Sequence, residues 1–528
     1  MRQNTGTIGI IAFLLMICFL FSACKPTPNQ EAVAGKDAEK LESRIAESKE
    51  RESKTMESSE TQVPNSEGNP QAETGSEEPA QEPATETFSI QDEYEGADPK
   101  VKISIDAKGT YQTENIPVLR VRPKMFTMEE IKKWAGIFSV DGSFTEPKTL
   151  LTKAEIEKHI LNLKSWCTDE YLENELGLKD EASKELERKA FELDIQKYES
   201  MYASAPEQVM TVPTDWTFHE TGYYLSLGFA EGKADTDDNF VVDLNSVLGT
   251  GRLSVTNLRD GDYYKILMSF SVYSDLMMDG AYTNWDTMLE RPMTISAEEA
   301  KEKGEALLEE MGIRDFVCSG IGKQSVADEN GHRKTIAEET GELIYRYNLR
   351  FRKRCGTVES LSDKILGDPK DIGYGAKYDY EELYITIVNN EIFSITWSAP
   401  LEVVAVENND VKTISFEEAC EACKKQMQTE YTMGKMTRIN PEDISYKEEL
   451  EKLKGAEIHI NDVTFGMTRI QIKDNMEEFR LVPAWRFAGA ELQDWGDGCD
   501  WTAGYEQRYV YQTINAVDGT YIDPFSGY

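Results

Sequence analysis

The chain has 528 residues, of which 96 are acidic and 57 are Lys or Arg, and its formal net charge is −39. A chain of this length exceeds what one hydrophobic core normally holds, so we expect two or three domains. The strongly acidic balance argues against binding to nucleic acid, because phosphate backbones are held by basic patches.

The first 23 residues have the layout of a secretory signal peptide. Arg2 is followed by an apolar run at residues 8–21, and the small residues Ser22 and Ala23 stand directly before Cys24. This run is shorter than the about 20 apolar residues that a membrane-spanning helix needs. The end of the segment resembles the bacterial lipobox, which implies that the thiol of Cys24 receives diacylglycerol. We therefore expect a lipoprotein that its acyl chains anchor in the cell membrane at the extracytoplasmic face.

A polar segment separates this anchor from the rest of the chain. Residues 25–100 carry 19 acidic and 8 basic side chains, and Phe88 and Tyr94 are the only aromatic residues among them. Such a segment buries too little apolar surface to offset the entropy lost on ordering. We predict that residues 24–100 comprise the lipidated cysteine and a disordered acidic stalk.

The next region, residues 101–292, is predicted to be an N-terminal α+β domain. It starts with two strands, which we expect to pair with each other, at residues 100–107 and 116–123. The apolar periodicity then predicts helices at residues 128–138, 153–166 and 181–205, followed by strands at residues 223–230, 239–247, 251–258 and 264–274.

Two segments that lie 119 residues apart share one pattern. Residues 294–302 and 413–421 are identical at seven of nine positions. In each segment a serine, Ser296 or Ser415, precedes a glutamate by three residues, as in a helix capping box. We predict that a helix begins at each of these serines.

Similar strand-like runs follow both helices. After the first they occupy residues 345–355, 381–388 and 392–406, with Asn389 and Asn390 suited to a tight hairpin; after the second they occupy residues 456–474, 477–487 and 508–523, with a turn at Asp518 and Gly519. We predict an α+β fold in which antiparallel sheets pack against helices. Residues 293–407 and 408–528 would each form one helix-plus-β-meander repeat.

The second repeat resembles the PepSY-type module of secreted bacterial proteins and of membrane-anchored accessory proteins of wall-sensing histidine kinases. The resemblance rests on the helix at 414–423, on the run LVPAWRF at 481–487, and on Asn515, Asp518 and Gly519, where Asp518 replaces the usual threonine. The whole chain also looks like uncharacterised lipoproteins of clostridial bacteria. These resemblances imply a binding or inhibitory module that has no catalytic residues of its own.

Cysteine positions leave two alternatives open. Cys318 and Cys355 flank one strand-rich stretch and form the candidate disulfide, although an exported protein can also keep free thiols. Cys420 and Cys423 form a CxxC motif, which performs redox chemistry where a thiol has a low pKa. Because this motif lies inside the helix that begins after Ser415, we expect two half-buried packing residues in preference to a redox or metal site.

Other chemistry-bearing patterns are incomplete. The four histidines are scattered outside any HExxH motif, and the chain has no GxSxG, no P-loop and no complete GxGxxG. Residues 234–243 resemble a calcium loop but lack its glycine and its bidentate glutamate, which favours a solvated hairpin tip. We therefore expect no catalytic residue, no metal ligand and no cofactor.

One acidic loop is a candidate for ligand binding. Asp497 and Asp500 lie between Trp495 and Trp501 in the sequence, and Asp494 directly precedes Trp495. Carboxylates could bind a cation there, and the indole rings could stack on a sugar.

The sequence favours a surface-anchored binding or regulatory protein that is not an enzyme. We expect it to act through its meander faces on another exported protein or on a cell-wall component, without binding nucleic acid. A solute-binding lipoprotein is one alternative, although that class usually has βαβ units and a parallel sheet. An extracytoplasmic hydrolase with an unrecognised site is the other.

Overall fold

The computed structural model describes residues 41–45, 85–147, 151–174, 176, 178–208, 210–220, 236–260, 263–272, 292–327, 333–335, 343–361, 378–431, 453–472, 475–496, 501–503 and 509–523. The signal segment 1–23, Cys24 and the predicted strand at 223–230 lie outside these ranges.

The described residues form a mixed α/β fold in which most elements are strands. The helices are α1 (Met128–Phe138), α2 (Lys153–Trp166), α3 (Asp169–Asn174), α4 (Glu181–Tyr202), α5 (Ala297–Met311) and α6 (Phe416–Glu430), and residues 41–45 are also helical. The strands are β1 (Thr85–Glu95), β2 (Val101–Gln112), β3 (Val118–Pro123), β4 (Phe144–Thr145), β5 (His219–Glu220), β6 (Thr236–Ser246), β7 (Gly249–Asp260), β8 (Tyr263–Val272), β9 (Phe316–Ala327), β10 (Arg333–Thr335), β11 (Arg346–Cys355), β12 (Val358–Glu359), β13 (Glu382–Val388), β14 (Glu391–Ser398), β15 (Leu401–Asn408), β16 (Gly455–Ile472), β17 (Asn475–Asp494), β18 (Trp501–Ala503) and β19 (Tyr509–Asn515). Among the described helices, none combines the length and the apolar character that crossing a bilayer requires.

The chain divides into two compact units. Unit 1 comprises Met1–Arg120, Gly356–Val358 and Val404–Tyr528, and unit 2 comprises Val121–Cys355 and Glu359–Val403. This division does not coincide with the expected boundaries at 292 and 407. Strands of the expected N-terminal domain join the first repeat in unit 2, and the second repeat shares unit 1 with the segment that contains β1 and β2.

The sheet of unit 1 follows the order β1-β2-β16-β17-β3-β15, with β18 and β19 also paired to β17. Its neighbours are mostly antiparallel, but β2 and β16 run parallel, with Ile103 opposite Ile458 and Ile105 opposite Ile460. The expected pairing of the first two strands, 100–107 with 116–123, is wrong because β16 and β17 lie between β2 and β3. The buried isoleucines Ile458 and Ile460 of β16 extend the apolar surface that Ile103 and Ile105 form on β2.

The expected stalk at 24–100 differs from the structure at two places. Strand β1 begins at Thr85 and pairs with β2 along its length. Phe88 is buried, with its ring 4.2 Å from Phe416 and 5.6 Å from Trp485. Residues 41–45 are helical, and the side chains of Leu41 and Ile45 are buried. Ile90 and Tyr94 of β1 also pack against the core of unit 1.

Helix α6 covers one face of the sheet of unit 1. Its N-cap is Ser415, whose side chain and Glu418 form both halves of the expected capping box. Phe416, Ala419, Cys420, Cys423 and Met427 pack into a core with the isoleucines of β2 and β16 and with Trp485 and Phe487. The predicted start of this helix is therefore confirmed.

Unit 2 contains the sheet β10-β9-β11-β13-β14-β8-β7-β6-β4, to which β5 adds beside β6. Helix α5 starts at the expected capping box of Ser296 and Glu299. A Cβ atom added at Gly304 of α5 would lie 2.7 Å from Leu349 Cδ1, so the helix approaches the sheet closely. On the same side of the sheet, Phe138 of α1 stacks on Phe270 with ring centroids 4.0 Å apart. Helices α2 and α4 form a separate small core in this unit.

Turn chemistry decides how the strands of unit 2 follow each other. Asn389 and Asn390 both have positive φ, 52° and 65°, and they connect β13 to β14 in the expected hairpin. The run at 392–406 is not one strand, because Ala399, with φ of 48°, and Pro400 separate β14 from β15. Residues 236–246 form β6, so the expected hairpin tip at 234–243 is wrong for the part that the structure describes.

Candidate functional site: the polar face of unit 2

Burial alternates along the central strands of unit 2. On β13 and β14 the side chains of Leu383, Ile385, Ile395 and Trp397 are buried, and the residues between them are half-buried. Successive side chains of a strand point to opposite faces of a sheet. One face therefore carries the core under α1 and α5, and the other face reaches solvent.

The accessible face has two rows of mostly polar side chains that run across five strands. We call these ten residues the polar face; they are Arg350, Tyr384, Thr396, Ser269 and Ser254 in the first row, and Asn348, Thr386, Ser394, Ser271 and Arg252 in the second. With strands about 4.8 Å apart, each row is about 19 Å long. Nine of the ten are half-buried, and Arg350 is exposed.

Contacts between neighbouring strands hold the larger side chains of the polar face in place. The guanidinium of Arg350 lies 5.6 Å from the ring centroid of Tyr384, and the Tyr384 hydroxyl donates to Glu382. Thr386 donates to the amide oxygen of Asn348 across the strand pair, at 3.2 Å. Such cross-strand contacts limit rotamer freedom, so less entropy is lost when a ligand binds.

An ion pair lies at the far end of the second row. Arg252 donates two hydrogen bonds to Asp243 on β6, at 2.7 and 3.0 Å. This bidentate pairing neutralises the guanidinium and fixes its plane. Arg350 is then the one cation among the ten residues that has no carboxylate salt bridge within the described part of the chain.

The CxxC motif lies in the core of unit 1. Cys420 and Cys423 are both buried, which corrects the expectation of half-buried residues. Burial, with Glu417 nearby, raises the pKa of the Cys420 thiol to about 12, and burial also raises the pKa of Cys423. Both thiols therefore stay protonated at neutral pH, whereas redox motifs depend on the thiolate.

The candidate disulfide does not form in the structure, where Cys318 and Cys355 are both free. Cys318 lies opposite Phe351 in the β9–β11 register. Cys355 is four residues further along β11, which corresponds to about 13 Å, and a disulfide needs Cα atoms within about 7 Å. Cys318 and Cys355 therefore lie on the neighbouring strands β9 and β11, but they are too far apart along the strand direction to be bonded.

The candidate ligand loop at 494–501 is described only in part. Asp494 ends β17 and accepts a hydrogen bond from the amide of Gly496, and Trp495 packs beside the core of unit 1. Asp497 and Asp500 lie outside the described residues, and only the backbone of Trp501 is described, at the start of β18. The loop remains a prediction.

Comparison with known proteins gives no family. No family model matches the chain, and no curated protein matches it. Among solved structures, it is similar to the crystal structure of an uncharacterized protein from Eubacterium rectale, with a TM-score of 0.35 and 11% identity over 80% of this chain and 91% of that chain. This degree of similarity carries no argument about function.

From the sequence we expected a partner to bind at the meander faces, but the residues of the polar face were not predicted. Three of its five strands, β11, β13 and β14, belong to the first repeat, whereas β7 and β8 come from the expected N-terminal domain. A signal was present: Ser and Thr occupy alternate positions between apolar residues in runs such as FSITWS and RLSVT. That pattern identifies a solvated face but not which strands will share it.

Proposed function

We propose that this protein is a lipid-anchored, extracytoplasmic binding protein without catalytic activity, and that the polar face of unit 2 holds its partner. The observation that supports this most is the ordered row of accessible hydroxyl, amide, phenol and guanidinium groups across five strands. Flat polar surfaces of this kind bind through many directional hydrogen bonds.

The chemistry of the polar face favours a glycan of the cell wall as the partner. Hydroxyl and amide groups both donate and accept hydrogen bonds, which matches the hydroxyl groups of sugars. Tyr384 adds an aromatic ring, and Arg350 adds one cation for an acidic or acetylated substituent. A segment of another exported protein is the second candidate, because β15 ends the strand path of its sheet and exposes Val404 and Val406.

The anchor is part of the same proposal. Cys24 would carry the diacylglycerol, and the polar segment up to Thr85 would connect it to the folded part. The high acidic charge of the chain would limit adsorption to polyanionic wall polymers, so that binding depends on the polar face.

We also propose that the two repeats are copies of one PepSY-like element. Both begin with a Ser–Glu capping box, both place a helix on a sheet, and the helices bury residues at the same positions after the cap: Ala300 and Gly304 in α5, Ala419 and Cys423 in α6. The protonated state of the CxxC thiols supports a function without redox catalysis at this motif. The mostly antiparallel pairing speaks against a solute-binding protein of the βαβ class.

A sedimentation assay with purified, insoluble cell-wall sacculi tests the function. The full chain should co-sediment, and Arg350→Ala and Tyr384→Ala should each reduce the bound fraction at least several-fold. Arg314→Ala is the matched control because Arg314 is an exposed arginine of unit 2 outside the polar face.

Three outcomes separate the possibilities. Binding that Arg350→Ala weakens but Arg314→Ala leaves intact supports the proposal. Failure to sediment, combined with stoichiometric capture of one protein by cross-linking on intact cells through the edge of β15, would replace the glycan with a protein partner. Equal binding by all variants, or no binding in either assay, would refute a role for this face.

A further inference from the structure

A histidine and two carboxylates converge in unit 2, away from the ten residues of the polar face. One ligand atom from each of Glu146, Asp215 and His219 lies within 4.8 Å of the others. Glu146 directly follows β4, and Asp215 precedes His219, the first residue of β5. Within the described ranges, no other set of three His, Cys, Asp or Glu side chains meets that criterion.

Backbone pairing fixes the position of Glu146. Its amide donates to the carbonyl oxygen of Val212 at 2.7 Å, and the preceding residue, Thr145, forms a β-bridge with Pro213. Glu146 also accepts a hydrogen bond from the amide of Asp215 at 3.3 Å. The first carboxylate is therefore tied to the segment that carries the second.

Aromatic packing fixes the segment around Asp215. The next residue, Trp216, has a φ of 56°, a conformation that a bulky residue rarely adopts. Its ring stacks on Phe240 at 5.5 Å and meets Phe144 edge-on at 5.1 Å. These contacts hold Trp216 in place, so the backbone at Asp215 has little freedom.

The third group, His219, belongs to a strand. His219 lies opposite Asn239 in the β5–β6 pairing, and its Nε2 is 3.3 Å from Asp215 Oδ1. The hydroxyl of Thr217 is 3.4 Å from the same nitrogen.

A second histidine pair shows what an ordinary contact looks like in this chain. His459 Nε2 lies 3.5 Å from Glu457, with exposed side-chain fractions of 51% and 45%, against 49% and 55% for His219 and Asp215. The two pairs match in distance and exposure. The pair of His459 lacks the third converging ligand in the described part of the chain, which is the feature that distinguishes the cluster in unit 2.

We propose that Glu146, Asp215 and His219 form a binding site for a divalent transition-metal ion of the Zn²⁺ type. An imidazole nitrogen with two carboxylates is a ligand set that Zn²⁺ accepts, with further positions open to water. Ca²⁺ and Mg²⁺ prefer shells made only of oxygen, so the histidine disfavours them. The bound ion would link the segment 212–219 to β4 and hold that part of unit 2 together.

Sequence spacing could not reveal this site, because Glu146 and His219 are 73 positions apart. The Asp215–His219 spacing of four residues is a metal-binding signal on a helix, but these residues lie in a non-helical segment whose backbone bonds to the end of β4. The proposal therefore replaces the expectation that the chain has no metal ligand.

Calorimetric titration of the full chain with ZnCl₂ tests the site, after accessible thiols have been reduced and alkylated so that cysteines do not bind the metal. We expect one Zn²⁺ per chain. His219→Gln and Glu146→Gln should each weaken binding at least about tenfold, the loss that even outer-shell substitutions cause.

His459→Gln is the matched control and should bind Zn²⁺ like the parent chain. Visible absorption of the Co²⁺-loaded protein gives a second readout, in which d–d bands should appear for the parent and for His459→Gln but not for His219→Gln. Unchanged thermal unfolding of the metal-free variants would show that they fold. Absence of stoichiometric binding, or retention of parent affinity in both His219→Gln and Glu146→Gln, would overturn the proposal.

Discussion

Units 1 and 2 each place a capped helix on a sheet, but the opposite faces of the two sheets differ. In unit 2, β13 and β14 alternate between buried and half-buried residues, whereas in unit 1 the residues 511–515 of β19 and 466–470 of β16 are all buried. Alternation means that one face is solvated, and continuous burial means that both faces are covered. Unit 1 is solvated on one face only towards its edge, where β2 alternates between buried and exposed residues, whereas in unit 2 the alternation extends through the central strands β13 and β14.

The helices also differ at one matched position. Eight residues after the N-cap, α5 has Gly304 and α6 has Cys423, and both are buried. At Gly304 a Cβ would come within 3.0 Å of Phe351 as well as 2.7 Å of Leu349, so α5 leaves no room for a side chain. In α6 the thiol of Cys423 fits beside Met427, with the two sulfur atoms 3.7 Å apart.

The largest loss of stability is expected when an ion pair in the core of unit 2 is broken. Lys353 lies 2.9 Å from Glu381, with side chains 9% and 4% exposed. Lys353→Met leaves that carboxylate buried without its cation, so the free energy of unfolding of unit 2 should fall by about 3–5 kcal/mol in urea titrations.

An exposed pair of unit 1 supplies the control for this change. Lys102 and Glu457 lie 3.9 Å apart and are 73% and 45% exposed, so Lys102→Met should change stability by less than about 1 kcal/mol. Similar losses for Lys353→Met and Lys102→Met would contradict the burial of the first pair.

The next largest loss of stability is expected from a substitution at Gly304, the position of α5 that matches Cys423 of α6. Gly304→Cys, which copies α6, should lower the stability of unit 2 by about 1–3 kcal/mol, because the added atoms force a packed helix away from its sheet. Gly136→Cys in α1 is the control, since no atom lies within 4 Å of a Cβ there. Chemical unfolding under reducing conditions measures both, and equal stability would show that the close approach of α5 is absent.

The stability of unit 1 should depend on pH through the ionisation of a buried thiol. The pKa of Cys420 rises from 9.0 to about 12 on folding, so between these values the unfolded chain releases a proton that the folded chain keeps. Stability from this group is full below pH 9 and is lost as the pH rises towards 12.

Removal of the thiol tests this pH dependence. Cys420→Ala should flatten the alkaline fall in stability of unit 1, measured by urea unfolding across that range. Native Cys420 should also react with a thiol reagent at pH 8 only as fast as the unit unfolds. Rapid reaction in the folded state would mean that the helix face is open.

The smallest effect concerns a buried hydroxyl of unit 1. Thr513 is 1% exposed, and its Oγ1 has no hydrogen-bond partner in the residues that the structure describes. Thr513→Val should leave stability unchanged or raise it by up to about 1 kcal/mol, because no hydrogen bond is lost. Thr396→Val on the polar face should be equally neutral for thermal unfolding but should weaken the binding to sacculi. A clear loss of stability in Thr513→Val would indicate a partner for this hydroxyl.

Local features of the fold were predictable from sequence, and distant pairings were not. The capping boxes at Ser296 and Ser415 and the hairpin at Asn389 depend on residues a few positions apart, and all three are present. The parallel pairing of β2 with β16 joins residues more than 350 positions apart, which no local pattern reveals. The cluster of Glu146 with His219 was missed for the same reason.

Labelling of single introduced cysteines on intact cells tests the central claim, that unit 2 presents an accessible polar face outside the cytoplasm. The reagent is a membrane-impermeant maleimide, and modified sites are located by mass spectrometry in Ser269→Cys and Thr513→Cys chains. We predict modification at position 269 on intact cells and none at position 513 until the protein is denatured. Modification of position 269 only after cell lysis, or equal modification of both positions, would contradict the account.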